Sequence, residues 1–231
     1  MGSVMDTAID FFVHRPIRFY PPTAAQLALA VASVALYRWV SMTKERYKYI
    51  SPVHYVPILT LATLSVFEMV PEWVPMIYSN AFMFWDSVVI TRQRLKGDPW
   101  PMTEWVFVAH HVGCIFLNLH PMIGHPKLYA KRATSRLLFI EASNPFLYRW
   151  EDSKRYTDFL MVYAVFFGIR GVYFAWYMWW ATGVVGKIDV LITCLYLLGA
   201  SQWVIWLLPN APKLWNYEQE MAKEAKAAKA D

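Results

Sequence analysis

The sequence predicts an all-α, polytopic membrane protein with six to seven transmembrane helices. Two observations lead to this fold class. Of the 231 residues, 57% are hydrophobic and only 17% are charged, whereas soluble domains are usually about half apolar and about a quarter charged. The charged residues also lie between long apolar runs, as they do in membrane proteins with short loops. A separate soluble domain has little room in such a chain.

Seven apolar segments approach the length that a membrane-spanning helix requires, which is roughly 20 residues. Residues 1–21, before them, predict a short N-terminal interfacial segment. Residues 22–51 predict the first transmembrane helix and its loop, residues 52–208 a transmembrane domain with the other six segments, and residues 209–231 a polar, lysine-rich tail. The seven segments are residues 22–41, 52–70, 73–91, 104–122, 132–149, 158–181 and 187–208.

The fifth segment, residues 132–149, is the reason why the number of spans stays at six or seven. It contains Arg136, Glu141 and Asn144, which are costly in lipid and are tolerated only where the polar face of the helix points into the bundle. Pro145 removes a backbone hydrogen-bond donor, so we expect a kink there.

Composition also bears on partners and location. The net charge of +5 is typical of the Lys and Arg bias of membrane-protein loops, so we expect no nucleic-acid partner. The N-terminus lacks the layout of a signal peptide, and the loop charges favour a C-terminus on the cytosolic or matrix side. Cys114 and Cys194 lie in apolar runs, where we expect small core residues rather than a disulfide.

Ionisable residues inside apolar segments are the candidates for chemistry, because their burial without a partner is costly. Asp86 lies in the third segment, within YSNAFMFWDSVVI, and His110 and His111 open the fourth. Successive helical residues point about 100° apart, so the two histidines cannot face one point. His111 shares a helix face with Cys114 and Asn118. The remaining polar candidates are Glu141, Ser143 and Asn144 on the fifth segment and Arg170 on the sixth.

Structural and catalytic roles both fit these residues. His111 could hydrogen-bond Asp86 or Glu141 and lock the bundle, or it could act as a general base. Adjacent histidines lack the four-residue spacing of the familiar helical zinc site, so we expect no metal. Two metal-binding alternatives stay open. One is a metal site built from Asp86, one histidine and Glu141, and the other is haem ligation with His54. Arg170 is expected to pair with a carboxylate or a lipid headgroup, and the tail lysines to form a solvated face.

The order of these motifs resembles the TLC-domain family, which unites ceramide synthases with related lipid-handling membrane proteins. The resemblance rests on YSNAFMFWDSVVI, the paired histidines and LLFIEASNPFLYRW, and it covers residues 52–208. It implies a helical bundle with an interior lipid-accessible tunnel. The catalytic base would then be His110 or His111, with Asp86 orienting it. Lipid would be bound by Glu141, Asn144, Asn118 and Arg170.

The chain departs from the ceramide synthases, whose signature continues after the paired histidines with His-Asp and a further Asp. Instead it carries Glu141-Ala-Ser-Asn-Pro-Phe-Leu-Tyr-Arg149, similar to TLC-domain-containing proteins that influence membrane phospholipid composition. The resemblance therefore implies a protein of the endoplasmic reticulum that binds or handles membrane lipids, and the mitochondrial inner membrane is the alternative location. Two other functions stay open. One is a non-enzymatic accessory subunit of a larger membrane protein complex, and the other is an acyltransferase with acyl-CoA as co-substrate and no further cofactor.

Overall fold

The computed structural model describes residues 22–42, 51–95, 102–153 and 155–227, which are almost entirely helical. No β-strand occurs in these ranges, and the all-α fold class is confirmed for them. The predicted interfacial segment, residues 1–21, lies outside the described ranges. The chain divides into two compact units, Met1–Leu138 and Phe139–Asp231. This division falls inside the predicted domain of residues 52–208.

The helices of the first unit are α1 (Ala24–Met42), α2 (Val56–Val66, preceded by the π-helical turn Ser51–Tyr55), α3 (Trp73–Arg94), α4 (Met102–Gly124), α5 (Pro126–Ala130) and α6 (Ala133–Leu137). The unit is built around helix–helix contacts of α1 with α3 and of α3 with α4. Its apolar core includes Tyr37, Ile58 and Phe82, all of them buried. Pro57 stands in the first turn of α2, where the N–H that proline lacks would have no helical partner.

The second unit packs Val162, Phe166 and Leu207 into a core that Trp203 and Trp206 border. A 3₁₀ segment, Leu138–Ser143, leads into its first helix. The helices are α7 (Asn144–Ser153), α8 (Tyr156–Phe166), α9 (Phe174–Val185), α10 (Val190–Gln202), α11 (Leu208–Asn210) and α12 (Tyr217–Ala227), with π-helical turns Phe167–Tyr173 and Trp203–Leu207 and the 3₁₀ segment Ala211–Asn216 between them.

The connection from α9 to α10 is short because local chemistry defines both helix ends. Gly186 ends α9 with φ of 78°, a left-handed conformation that glycine adopts without the penalty of a side chain. Asp189 begins α10, since its side-chain Oδ1 accepts a hydrogen bond from the backbone N–H of Ile192 at 3.1 Å. That cap satisfies one of the N–H groups that the first turn of a helix leaves unpaired.

Three helices among the described residues are long and apolar enough to cross a membrane, namely Ala24–Met42, Tyr156–Val185 and Val190–Asn216. They correspond to the first, sixth and seventh predicted segments. Two shorter apolar helices, Val53–Val66 and Val108–Leu119, fall within the second and fourth. Large apolar side chains point outward on the long helices, among them Trp179 and Ile205, as is expected of helices that contact lipid.

The fifth predicted segment, residues 132–149, differs from the single kinked helix that we expected. It consists of α6, the 3₁₀ segment Leu138–Ser143 and α7. Arg132, just before α6, has φ of 57°, which separates α6 from the preceding turn. Pro145 is the second residue of α7, a position where its missing N–H costs no helical hydrogen bond. The proline thus stands at a helix start rather than at a kink.

Candidate functional site

Polar side chains gather on the apolar helices of each unit, and in the first unit they centre on His111 and Asp86. His111 lies on α4 and Asp86 on α3, with 3.5 Å between His111 Nδ1 and Asp86 Oδ2. Both side chains are largely buried, with exposed fractions of 12% and 20%. This separation is long for an N–H···O hydrogen bond. The structure thus brings together the predicted base and its predicted orienting carboxylate.

Aromatic rings pack beside the His111–Asp86 pair. The fully buried imidazole of His54 stacks on the Phe82 ring with 3.8 Å between centroids, and Phe82 lies 6.1 Å from the His111 ring. His54 Nδ1 is hydrogen-bonded to the Tyr37 hydroxyl at 2.9 Å. In the part of the chain that the structure describes, His54 Nε2 is buried without a hydrogen-bond partner. The sequence analysis considered His54 only as a haem ligand. Its place in an apolar run already indicated a buried imidazole.

A small cavity opens beside Asp86. Tyr37, Phe82 and Trp85 line it together with the Asp86 carboxylate, and its volume is about 20 Å³. That volume is enough for about one water molecule. The cavity is too small for an acyl chain. The lipid-accessible tunnel that the resemblance implies therefore stays a prediction.

The other predicted polar residues of α4 have contacts of their own. His110 lies against Cys114, with 3.6 Å between His110 Nε2 and Cys114 Sγ. Asn118, predicted to bind lipid, donates from Nδ2 to Asn80 Oδ1 on α3 at 2.9 Å, and its backbone carbonyl accepts from the Thr134 hydroxyl at 3.1 Å. Asn118 is buried. Asn118 therefore links neighbouring helices through hydrogen bonds and is not open to a ligand.

Glu72 is a buried ionisable residue that the sequence analysis missed. It lies in the turn before α3 and is fully buried. Its Oε1 accepts from the backbone N–H of Ser135 at 3.1 Å, and its Oε2 accepts from the hydroxyls of Ser65, at 2.9 Å, and Ser135. Burial raises the pKa of the Glu72 carboxyl, and the hydrogen bonds from Ser135 and Ser65 oppose that rise.

In the second unit, the polar group centres on Arg170. Its guanidinium donates to Ser143 Oγ at 2.7 Å, to Gln202 Oε1 at 3.2 Å and to Asn144 Oδ1. The guanidinium carbon also lies 4.7 Å from the centre of the Phe166 ring. Asn144 in turn donates from Nδ2 to Glu141 Oε2 at 2.5 Å. Three of the predicted lipid-binding residues, Glu141, Asn144 and Arg170, therefore form one network.

The backbone around Arg170 is unusual for a membrane helix. Arg170 lies in the π-helical turn Phe167–Tyr173, and its partner Gln202 directly precedes another such turn, Trp203–Leu207. Single π-helical turns within α-helices are often found at functional sites. Gly171 is next to Arg170, and a Cβ placed there would lie 3.0 Å from Cζ2 of Trp203. The two π-helical turns therefore approach each other closely because residue 171 is glycine.

No group of three His, Cys, Asp or Glu side chains in the described ranges is arranged to hold a metal ion. The candidate residues described above carry imidazole, carboxyl, thiol and guanidinium groups. In the first unit, an imidazole beside a carboxylate can accept and release a proton. In the second unit, a guanidinium can bind an anion through charge-assisted hydrogen bonds.

No protein-family model matches this chain, and neither does any curated protein or solved structure. The resemblance to the TLC-domain family rests on the quoted sequence motifs. The His111–Asp86 pair and the Arg170 network are the features of the described residues that bear on function.

Proposed function

We propose that this chain is a multispanning membrane protein of the TLC type, with six to seven spans, that binds or handles lipid and thereby influences membrane lipid composition. The supporting observation is the Arg170 network. Arg170 is the fifteenth residue of the 30-residue apolar helix Tyr156–Val185 and lies at its centre. A charged residue at the centre of a membrane helix costs about 2.5–3.5 kcal/mol on insertion scales and usually marks a functional site.

The hydrogen-bond partners of Arg170 favour a phosphate-bearing headgroup. Ser143, Asn144 and Gln202 are neutral, so their hydrogen bonds orient the guanidinium, and the carboxylate of Glu141 interacts with it electrostatically. Glu141 is held by Asn144 on the other side of the network. A zwitterionic phospholipid fits this arrangement of Arg170 and Glu141, with its phosphate at Arg170 and its amine at Glu141. Guanidinium and phosphate match in geometry as well as in charge.

Acyl transfer is a second candidate function, and the observation that favours it is the proximity of His111 and Asp86. An uncharged imidazole can take the proton of an attacking hydroxyl or amine, and a neighbouring carboxylate stabilises the charged ring that results. The acyl donor would be acyl-CoA, as the resemblance implies. Replacement of either residue tests this candidate separately from lipid binding.

The decisive experiment is mass spectrometry of lipids that remain bound to the purified protein after mild detergent extraction. We expect enrichment of one phospholipid class over its fraction in the source membrane, and we expect the Arg170→Gln variant to lose that enrichment. The matched control is Arg149→Gln, since Arg149 is an exposed arginine in the same unit that pairs with Asp158. If the lipids bound to the wild type have the same class composition as the source membrane, the proposal is wrong. Extraction only as part of a much larger assembly would favour the accessory-subunit function.

A further inference from the structure

Cys114 and His110 form a thiol–imidazole pair on α4 that neither candidate function uses. They are four residues apart, so they lie on the same helix face. Cys114 Sγ is 3.6 Å from His110 Nε2 and 3.9 Å from His110 Nδ1, within the range of a hydrogen bond to sulfur. A nucleophile within hydrogen-bonding reach of a base is the usual sign of covalent catalysis.

The surroundings of the thiol suit an acyl chain. Cys114 is half-buried and packs against the apolar core of the first unit. Gly113, next to it on α4, is exposed, and a Cβ placed there would meet no described atom within 4 Å. Val112 and Phe116 adjoin Gly113 on the exposed face of the helix. The thiol therefore lies between the packed core and the edge of an exposed apolar helix face. A fatty chain can approach along that surface while its carbonyl carbon reaches Sγ.

We propose that Cys114 accepts a fatty acyl group from an acyl thioester, with His110 receiving the thiol proton. This inference rests on the proposed lipid-handling function and names an acyl-carrying site within it. The acceptor is a cysteine, so the acylated protein is itself a thioester. Because the bond that breaks and the bond that forms are of the same kind, the exchange requires no energy source and can also run in reverse to deliver the acyl group.

The step is balanced without an oxidant or a metal. The Cys114 thiol gives its proton to His110 Nε2, and the resulting thiolate attacks the carbonyl carbon of the donor. A bond forms between Cys114 Sγ and that carbon, and the bond from the carbon to the donor sulfur breaks. The departing thiolate takes the proton back from the His110 imidazolium. The donor thiol leaves neutral, and His110 returns to its starting state.

Cys194 provides an internal control. It is half-buried on α10, an apolar helix, as Cys114 is on α4. The residues four positions before and after it are Val190 and Leu198, so its helix face offers no imidazole. Non-specific thioester exchange would label the two cysteines alike, whereas His110-assisted exchange labels Cys114 alone.

The test uses the full chain in detergent micelles, incubated with alkyne-tagged palmitoyl-CoA or with the alkyne-tagged palmitoyl thioester of N-acetylcysteamine. The second donor has an uncharged leaving group that can enter an apolar site. Label is read by mass spectrometry of peptides before and after hydroxylamine, which cleaves thioesters. We expect hydroxylamine-sensitive label on Cys114 from at least one donor, and at least tenfold less on Cys194.

Two variants separate the roles of the pair. Cys114→Ser should abolish the label, and His110→Asn should slow labelling of Cys114 at least tenfold while Cys194→Ala leaves it unchanged. Equal labelling of both cysteines, absence of label in the wild type, or an unchanged rate in His110→Asn would each overturn the proposal. Because the wild-type peptide map needs no variant, it is informative even if a variant does not fold. Phospholipid retention by Cys114→Ser reports on the proposed function independently.

Discussion

The backbone N–H of Ser135 donates to Glu72 Oε1 at 3.1 Å, joining two residues that are 63 positions apart in the chain. The Ser135 hydroxyl donates to the other oxygen of the same carboxyl group. One buried side chain thus fixes α6 against the turn that precedes α3. Since burial raises the pKa of Glu72, this contact should make the stability of the protein depend on pH.

We expect the wild type to lose stability relative to Glu72→Gln as pH rises above 4.5, the ordinary pKa of this carboxyl. Below that value, Glu72 is protonated in both the folded and the unfolded chain. Above it, the unfolded chain releases the proton first, so the folded chain binds more protons until pH exceeds its raised pKa. Glu72→Gln lacks this contribution, whereas the other ionisable groups are present in both proteins. Each unit of pKa difference corresponds to about 1.4 kcal/mol, or a change in Tm of about 3–6 °C for a chain of this size.

The measurement is Tm against pH, followed by tryptophan fluorescence in detergent between pH 4.5 and 7.5. Tyr129 also interacts with Glu72, and burial raises the pKa of Tyr129 from an ordinary value of 10.0, so it stays neutral throughout this range. Glu220→Gln serves as the control, because Glu220 forms a surface pair with Lys223 on α12 and such pairs contribute little. A difference in Tm between wild type and Glu72→Gln that does not change with pH would contradict the assignment.

His111→Ala and Asp86→Asn test acyl transfer. His111 is the predicted base and Asp86 its orienting carboxylate, 3.5 Å away. General base catalysis contributes about 10²–10⁴-fold, so we expect His111→Ala to lower the rate of acyl transfer from acyl-CoA by at least 100-fold. Asp86→Glu should restore part of the activity that Asp86→Asn loses. Unchanged turnover in His111→Ala would remove this residue from the catalytic role and leave it a structural one.

Arg170→Lys separates the charge of the guanidinium from its geometry. Lysine keeps the positive charge but cannot reach Ser143, Asn144 and Gln202 together. We expect affinity for the enriched phospholipid to fall about 10–100-fold, equivalent to the 1.5–3 kcal/mol of a hydrogen bond to a charged group. Affinity is measured by titration of fluorescent phospholipid into the delipidated protein, with Arg149→Lys as the matched control. Equal affinity of wild type and Arg170→Lys would show that charge alone suffices.

Gly171 and Gly168 form a matched pair within one π-helical turn. A Cβ on Gly171 would meet the rigid Trp203 ring at 3.0 Å, whereas a Cβ on Gly168 has nothing within 4 Å. We expect Gly171→Ala to destabilise the protein by about 1–3 kcal/mol through overpacking, and Gly168→Ala to be neutral or stabilising by up to about 1 kcal/mol. Detergent-based thermal unfolding measures both. Equal effects at the two positions would mean that the approach to Trp203 is not tight.

The helical class and the long apolar helices could be predicted from the sequence because both depend on local composition. The predicted segments 22–41, 158–181 and 187–208 overlap the three long apolar helices that the structure describes. The fifth segment could not be predicted in the same way. Its interruption depends on the backbone of Arg132 and on the 3₁₀ segment before Asn144, which hydropathy does not register.

The sequence by itself determined which side chains would be costly in an apolar setting, because that cost depends on residue type and on the neighbours along the chain. It therefore singled out Asp86, His111 and Arg170. Only the tertiary structure decided their partners, because a hydrogen bond or an ion pair depends on distances between residues far apart in sequence. The network of Arg170 with Gln202 and the burial of Glu72 against Ser135 arise from helix packing, and no local pattern in the chain encodes either contact.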